Sequence, residues 1–190
     1  MKTLIISLKI FLFFTVLTGI IYPLMVTGIA QLIFPLQANG SIVHKRNLNI
    51  GSELIGQKFD KPVYFSSRPS AISYNPLPSG GSNYGLTSAR LKKYADSCRA
   101  DFIAVNGLDS LTVIPSEMVF ASASGLDPHI SPEAAMLQVE RISKARNFNQ
   151  LQKQKLEECI SKLTEHPQLL CLGEKRINVL LLNLATDKIK

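Results

Sequence analysis

The most regular hydrophobic pattern in the chain is a continuous apolar stretch near its N-terminus. Residues 10–35 form a run of 26 residues without a charge and consist mainly of Ile, Leu, Phe and Val. About 20 apolar residues are enough for a helix to cross a bilayer, so the pattern predicts a transmembrane helix over 10–35. The alternative is a cleaved signal peptide. Its apolar core has only roughly 7 to 15 residues, so this stretch is too long for one.

A repeat of compact residues runs along one face of the predicted span. Thr15, Gly19, Pro23 and Thr27 stand at every fourth position, and small residues at that spacing allow membrane helices to approach closely. Chance is the alternative, because Gly and Pro are frequent in membrane helices. We expect this face to pack against a partner helix. We also expect Pro23 to bend the helix, because it removes one backbone hydrogen bond.

The basic residues that flank the span favour one orientation. Lys2, Lys9 and the amino terminus precede it, whereas the basic residues on the other side lie farther away. By the positive-inside rule this slightly favours a cytoplasmic segment at 1–9. Residues 36–190 are then expected to form one extracytoplasmic domain.

Three segments after the span carry a helical pattern. Between Ser88 and Gly107, apolar residues recur every three or four positions, and these two residues suit the N-cap and the terminator. A second helix is predicted over 132–146. A third is predicted to begin with a capping box formed by Asn149 and Gln152.

The remaining apolar runs are short and are typical of strands. Strands are predicted at 52–59, 63–65, 111–114, 118–121 and 177–184. The last run consists almost entirely of Val, Leu and Ile, as a buried central strand does. Residues 36–50 form either a linker or a short hairpin, and 66–87, rich in Pro, Gly and Ser, form a long loop. Strands and helices without a regular βαβ repeat indicate an α+β domain.

Charge and cysteine content narrow the function classes. The net charge is +7, but the basic residues are spread out and lack the interleaved aromatic residues of a nucleic-acid-binding surface, so no nucleic acid is expected as a partner. Cys98, Cys159 and Cys171 could form one disulfide in any of three pairings. Buried thiols are the favoured interpretation for Cys98 and Cys159. No Cys and His spacing for zinc is present, and no metal site is expected.

The most distinctive polar pattern is a turn at 121–135, where small residues lead into a predicted helix. Asp127 and His129 lie two positions apart, a pair that could activate a nearby serine or, with Glu133, hold a metal ion. The alternative is a structural corner in which Asp127 accepts hydrogen bonds from turn amides. Because no G-x-S-x-G elbow or second carboxylate cluster supports catalysis, we favour the structural corner and predict no catalytic residue.

A second candidate is a loop in which two glycines stand together, made up of Ser79, Gly80, Gly81, Ser82 and Asn83. Successive N–H groups of such a loop could bind a phosphate. A surface turn or docking loop is the favoured interpretation, because the P-loop pattern and its Lys are missing. A third candidate is Arg68, which could anchor a carboxylate by bidentate hydrogen bonds or could be solvated.

Several distinctive blocks follow one another along the chain, namely GSELIGQ at 51–57, RPSA at 68–71, SGGSN at 79–83, SGLDPHISP at 124–132 and RINV at 176–179. Together they resemble the C-subunit family, KdpC, of the Kdp high-affinity potassium-transporting ATPase. The similarity covers essentially the whole chain, including the N-terminal span.

The resemblance implies a noncatalytic, single-pass subunit of a P-type ATPase complex in the bacterial inner membrane. The implied partners are a channel-like potassium-translocating subunit, the ATPase subunit and the lipid bilayer. The implied role is assembly and stabilisation of the complex. Five residues are expected at subunit contacts or in a structural corner, namely Arg68, Asp127, His129, Arg176 and Asn178.

The family is also described as a catalytic chaperone that raises the ATP affinity of the ATPase subunit. Only this resemblance implies ATP as a ligand. The alternative function is a nucleotide-binding regulator that contacts ATP through residues 79–83. If residues 36–190 lie outside the cytoplasm, that loop cannot reach cytoplasmic ATP. An effect on ATP affinity would then be allosteric, through the membrane subunits.

Overall fold

The structure, a computed structural model, describes residues 1–45, 48–169 and 171–189. The chain divides into an N-terminal unit, Met1–Ser52, and a C-terminal unit, Glu53–Lys190. In the described part of the chain, one long apolar helix belongs to the first unit, and mixed helices and short strands make up the second. The predicted fold class, an apolar spanning helix followed by an α+β domain, is confirmed.

The apolar helix is continuous over 32 residues but changes its winding near the middle. Helix α1 (Lys2–Val16) passes into a π-helical turn (Leu17–Ile21) and then into α2 (Tyr22–Ile33). The π turn ends two residues before Pro23, whose missing N–H and bulky ring disturb the regular hydrogen-bond ladder. The helix is long and apolar enough to cross a membrane.

A short hairpin completes the N-terminal unit. After the one-turn helix α3 (Pro35–Ala38), Gly40 adopts a φ of +81° and the chain turns into β1 (Ile42–Lys45). Strand β1 pairs antiparallel with β2 (Leu48–Ser52). Of the two predictions for residues 36–50, the hairpin is therefore confirmed.

The C-terminal unit packs its helices around one apolar core. The α-helices of its described residues are α4 (Ala89–Asn106), α5 (Pro132–Met136), α6 (Val139–Ala145), α7 (Gln150–Leu163) and α8 (Val179–Thr186). The largest apolar side chains that are fully buried are Phe65, Ile142, Leu156, Ile177 and Leu182. Burial stabilises each of them by about 1.5–3 kcal/mol. The core thus joins Phe65, which directly precedes the long loop, to Ile177 and to residues from three helices.

Two helix predictions are confirmed at their ends. Helix α4 follows Ser88, which occupies the N-cap position although its hydroxyl makes no capping hydrogen bond. The helix ends at Gly107, whose φ of +63° provides the left-handed residue that terminates many helices. Helix α7 begins with the predicted capping box. The side chains of Asn149 and Gln152 each accept the backbone N–H of the other, at 2.9 and 2.8 Å.

Four predicted strands are wrong, namely those at 52–59, 63–65, 111–114 and 118–121. Only Ser52 of these residues lies in a strand, as the last residue of β2. The ladder described in the C-terminal unit consists of two-residue strands, β3 (His129–Ile130) and β4 (Ile177–Asn178). The α+β class holds, but its sheet is much smaller than the sequence predicts.

Side chains and turns replace the missing strand partners. The guanidinium of Arg99 donates to the carbonyls of Ser110 and Thr112 at 3.0 and 3.1 Å. It therefore supplies hydrogen bonds to carbonyls in and beside the segment predicted as a strand at 111–114. Residues Ser116–Met118 form a 3-10 turn instead of a strand. A hydrophobic alternation therefore predicts an extended or buried segment here, but not its hydrogen-bond partner.

Buried carboxamides play the same role at Phe65 and Ser66. The side chain of Asn183 accepts the N–H of Phe65 at 2.7 Å and donates to its carbonyl at 3.0 Å. The side chain of Gln138 accepts the N–H of Ser66 at 2.8 Å. Gln138 lies between α5 and α6. The helix predicted over 132–146 is therefore interrupted there, at the residue whose side chain binds Ser66.

The buried central strand predicted at 177–184 is also wrong. Strand β4 covers only its first two residues, and α8 follows at once. The side chain of Asn178 accepts the N–H of Leu181 at 3.2 Å and so caps α8. A short apolar run fits a buried strand and a buried helix equally well, and the capping residue decides between them.

Candidate functional site

Residues 122–131, which we call the corner, hold together segments that are far apart in the sequence. The N–H groups of Gly56, Gly80 and Val179 donate to carbonyls of the corner at 2.7, 3.0 and 2.9 Å. The segment before the long loop, the loop itself and the start of α8 therefore meet at one place. The turn pattern that stands out in the sequence is the junction of the C-terminal unit.

Asp127 binds two neighbours through its two carboxylate oxygens. One oxygen accepts the backbone N–H of His129 at 3.0 Å and lies 3.4 Å from His129 Nδ1. The other accepts a hydrogen bond from Arg68 Nη1 at 2.6 Å. Burial raises the pKa of this carboxyl, but the hydrogen bonds from His129 and Arg68 outweigh burial and lower the pKa to about 2. The carboxylate is therefore ionised at neutral pH, and its two oxygens bind Arg68 and His129 of the same unit.

The loop that carries Arg68 is fixed to the corner by hydroxyl groups. The hydroxyl of Tyr74 donates to the carbonyl of Arg68, and burial raises the pKa of Tyr74 to about 12. The hydroxyl of Ser70 donates to the carbonyl of Gly125 at 2.7 Å and accepts the N–H of Tyr74 at 3.0 Å. These bonds hold the guanidinium of Arg68 in place beside the carboxylate.

Two glycines permit the close approach of these segments. Gly125 has a φ of +70°, and a Cβ atom there would lie 2.5 Å from Cγ1 of Ile72. A Cβ atom on Gly56 would lie 2.6 Å from the carbonyl oxygen of Asp127. Any side chain at either position would force local movement.

His129 and Asn178 connect the corner to α8, because they pair with each other across β3 and β4. The side chain of Asn178 also donates to the carbonyl of Glu53 at 2.7 Å. Ser131, the N-cap of α5, accepts the N–H of Ala134 at 3.1 Å. The corner thus begins α5 through Ser131 and contacts the start of α8 through the pairing of His129 with Asn178.

Four of the five residues expected at subunit contacts or in a corner meet here, namely Arg68, Asp127, His129 and Asn178. Arg176 lies just before β4, where its guanidinium pairs with the carboxylate of Glu165 at 2.9 Å. A role for any of the five at a subunit contact stays a prediction.

The loop at residues 79–83, the candidate for nucleotide contact, packs against the corner. The N–H of Gly80 is bonded to the carbonyl of Ser124, and a Cβ atom on Gly81 would lie 3.0 Å from the carbonyl oxygen of Ala123. Close packing therefore accounts for Gly81, whereas a Cβ atom on Gly80 would meet nothing within 4 Å. The N–H of Gly80 is already used by the corner. Nucleotide binding by residues 79–83 stays a prediction.

A polar cleft of about 590 Å³ lies beside the corner. It is lined by Arg68, Asp127 and His129 and by residues 165–168 and 172–176. The other charged side chains of its lining are Glu117, Glu165, Glu174, Lys175 and Arg176. Charged residues of both signs line the cleft, as expected of contact with another mixed polar surface.

The alternatives of a nucleophile and of a metal site gain no geometric support. The hydroxyls of Ser124 and Ser131 accept the backbone N–H groups of Leu126 and Ala134, both at 3.1 Å. Among the described residues, no group of three or more His, Cys, Asp or Glu side chains is arranged to hold a metal ion. The corner braces the unit, and its polar atoms bind protein.

The three cysteines are free thiols. Cys98 and Cys159 are half-buried, and Cys171 is exposed. Burial raises the pKa of the Cys98 thiol, which lowers its reactivity.

Sequence reasoning missed the contribution of Ser70, Tyr74 and Asn183. Nothing in the loop pattern distinguishes Ser70 and Tyr74 from their neighbours. A signal for Asn183 was present, because an amide inside an apolar run is buried only when its hydrogen bonds are satisfied.

Comparison with known proteins identifies the family. The family model described as KdpC, the c chain of the K+-transporting ATPase, matches residues 4–188. A relative from Allorhizobium ampelinum is 49% identical over 181 residues, which cover 92% of this chain and 90% of the relative. One from Geobacter sulfurreducens is 48% identical over 192 residues, with 98% of both chains covered. One from Caldanaerobacter subterraneus subsp. tengcongensis is 44% identical over 179 residues, with 94% and 91% covered. Each of the three is named potassium-transporting ATPase KdpC subunit. The chain therefore belongs to the KdpC family, the c chain of the K+-transporting ATPase.

Proposed function

We propose that this accessory subunit supports the assembly and stability of an ATP-driven potassium uptake pump through protein contacts alone. Family membership over residues 4–188 is the observation that carries the proposal. The geometry of the corner agrees with it. The carboxylate of Asp127, the hydroxyl of Ser131 and the N–H of Gly80 all bind partners within the unit, as expected of a bracing element.

The partners in this proposal are the channel-like potassium-translocating subunit and the P-type ATPase subunit of the same complex. The basic residues Lys2 and Lys9 favour a cytoplasmic N-terminus. The C-terminal unit then lies outside the bacterial inner membrane. There it rests on the channel-like subunit near the potassium entrance.

The apolar helix contributes a second contact inside the bilayer. A step of four residues in an α-helix rotates about 40° beyond a full turn, so a face built on every fourth residue spirals slowly. The π turn Leu17–Ile21 has more residues per turn and reduces this drift between Thr15 and Pro23. The hydroxyl of Thr15 donates to the carbonyl of Phe11 at 2.8 Å, which satisfies it without water. We therefore propose that Thr15, Gly19, Pro23 and Thr27 pack against a neighbouring helix.

An effect on ATP affinity acts, in this proposal, through the partner subunits. The family description of a catalytic chaperone is compatible with contact at a distance, because binding at one site can change affinity at another. The N–H of Gly80 is bonded to the corner, which leaves less of the loop for a phosphate. The alternative, a regulator that binds ATP directly through residues 79–83, requires that loop to be cytoplasmic.

Removal of residues 53–190 tests the proposal. The truncated chain keeps the whole N-terminal unit, so its level in the membrane can be followed by an N-terminal tag. We expect the truncated chain to reach the membrane, while the other pump subunits no longer co-purify as a complete complex and potassium uptake is lost. A complete and active pump formed with the truncated chain would contradict the proposal.

A further inference from the structure

Residues 165–169 and 171–176, which we call the finger, are the described part of a narrow hairpin that leads from α7 to β4. Glu165 and Arg176 exchange two backbone hydrogen bonds, at 2.8 and 3.1 Å, and their side chains form an ion pair at 2.9 Å. Gln168 and Leu172 exchange two more, both at 2.9 Å. The finger is therefore held at its base and again close to its end.

The end of the finger is apolar and exposed. The sequence from 169 to 172 reads Leu-Leu-Cys-Leu. The side chain of Leu169 is 83% exposed and that of Leu172 is 58% exposed, and Cys171 between them is exposed as well. Leu170 lies outside the described residues. Exposed apolar side chains so close together are unfavourable in water unless a partner covers them.

The backbone at this end is also unusual. Leu169 has a φ of +51°, in the left-handed region that a bulky side chain rarely adopts. Gly173, with a φ of +94°, takes the second such position. A strained Leu that points its side chain into solvent gains nothing within the described unit, and such strain is often found at contact sites.

We propose that the tip of the finger, which carries Leu169, Cys171 and Leu172, inserts into an apolar pocket on the outer surface of another subunit of the pump. The inference rests on the proposed function and assigns to it a particular contact. The charged residues behind the tip would then meet a polar rim around that pocket, as in other interfaces with an apolar centre.

Charge favours a protein partner over the bilayer surface. The flanking residues Glu165, Glu174, Lys175 and Arg176 carry two charges of each sign, so they give no net attraction to anionic lipid headgroups. The finger also contains no aromatic residue, the type that anchors segments at the membrane interface. Paired charges of opposite sign instead suit a protein surface that presents both.

Size favours insertion into a larger assembly over a dimer of this chain. A few leucine-sized side chains expose on the order of 300 Å² of apolar surface, well below the roughly 800 Å² per partner of a stable interface. Such a contact cannot hold two copies together by itself. It can secure a subunit that a membrane helix already holds beside its partner.

The test uses the full-length chain expressed together with the other pump subunits. In one variant Leu169→Ser and Leu172→Ser are combined. The matched control combines Leu111→Ser and Val113→Ser, at two residues of the same unit that are each 87% exposed. We expect the tip variant to co-purify with the other subunits about tenfold less in a detergent wash, and the control to match the unchanged chain.

A photoreactive amino acid at position 172, and for comparison at position 111, identifies the occupant. We expect a covalent adduct with another pump subunit from position 172 and none from position 111. Adducts with phospholipid alone or with a second copy of this chain would overturn the inference, as would normal co-purification of the tip variant. If the truncated chain without residues 53–190 fails to assemble while the tip variant assembles normally, only the inference fails and the proposed function stands.

Discussion

Replacing Asn183 with Leu tests whether a buried side chain substitutes for a partner strand. The carboxamide of Asn183 accepts the N–H of Phe65 at 2.7 Å and donates to its carbonyl at 3.0 Å, and both residues are buried. Leu preserves the size of the side chain and favours the helix, but it removes both hydrogen bonds. The substitution therefore leaves two backbone groups without partners.

The expected loss follows from those two groups. A buried polar group left unbonded costs about 1–3 kcal/mol, so Asn183→Leu should lower the free energy of unfolding by about 2–6 kcal/mol. A domain typically has about 5–15 kcal/mol in total. With a slope of about 2 kcal/mol per M of urea, the midpoint of unfolding should fall by about 1–3 M.

The assay is urea unfolding of the full-length chain in detergent micelles, followed by far-ultraviolet circular dichroism. Gln154→Leu is the matched control, because Gln154 is an exposed amide on α7, and it should change the free energy of unfolding by less than about 0.5 kcal/mol. If Asn183→Leu has no greater effect than this control, the reasoning about replaced strand partners is refuted.

Three further substitutions test the corner and the loop by the same assay. Asp127→Asn should cost about 1–2 kcal/mol near neutral pH. The folded pKa of Asp127, about 2, lies below its ordinary value of 3.8, so this difference is complete above pH 4 and should disappear as the pH falls toward 2. A constant difference at all pH values would contradict the assignment. Gly125→Ala should cost about 1–3 kcal/mol more than Gly107→Ala. Both glycines have positive φ, but only the first would clash, and equal losses would count against the packing argument. Arg141→Met should cost about 2–4 kcal/mol, because the guanidinium of Arg141 donates to the carbonyls of Pro62 and Tyr64. An unchanged midpoint would show that water replaces those bonds.

The sequence predicts the elements whose signals are local. The apolar helix follows from the length of an uncharged run, and α4 and α7 follow from apolar spacing combined with their caps at Ser88, Gly107 and Asn149. These features depend on residues within one or two turns of one another. Neighbouring residues determine them, so they are readable without knowledge of the tertiary structure.

Elements that depend on distant partners are not predictable in this way. Residues 63–65 have the composition of a strand, but their backbone binds the side chain of Asn183, which lies 118 positions from Phe65. The run at 177–184 is apolar throughout, so its periodicity does not separate strand from helix, and the cap of Asn178 decides. In both places a polar side chain determines the structure of an apolar segment.

The sequence predicts several residues of the candidate site but not the contacts between them. The turn pattern at 121–135 and the pair Asp127 and His129 were found from the sequence. Arg68 was singled out only as a residue that could anchor some carboxylate, and the structure identifies that carboxylate as Asp127. The contact of the loop at Gly80 with the corner depends on a 44-residue separation between Gly80 and Ser124, which no local pattern records.

The central claim is that the C-terminal unit acts on the pump from outside the cytoplasm, through protein contacts and not through contact with ATP. The side of the membrane on which residue 190 lies tests it most directly. Alkaline phosphatase, which is active only outside the cytoplasm, and green fluorescent protein, which is fluorescent inside it, can each be fused after that residue. The account predicts an active phosphatase and a dark fluorescent fusion. A fluorescent fusion with an inactive phosphatase would contradict it and would favour direct nucleotide binding.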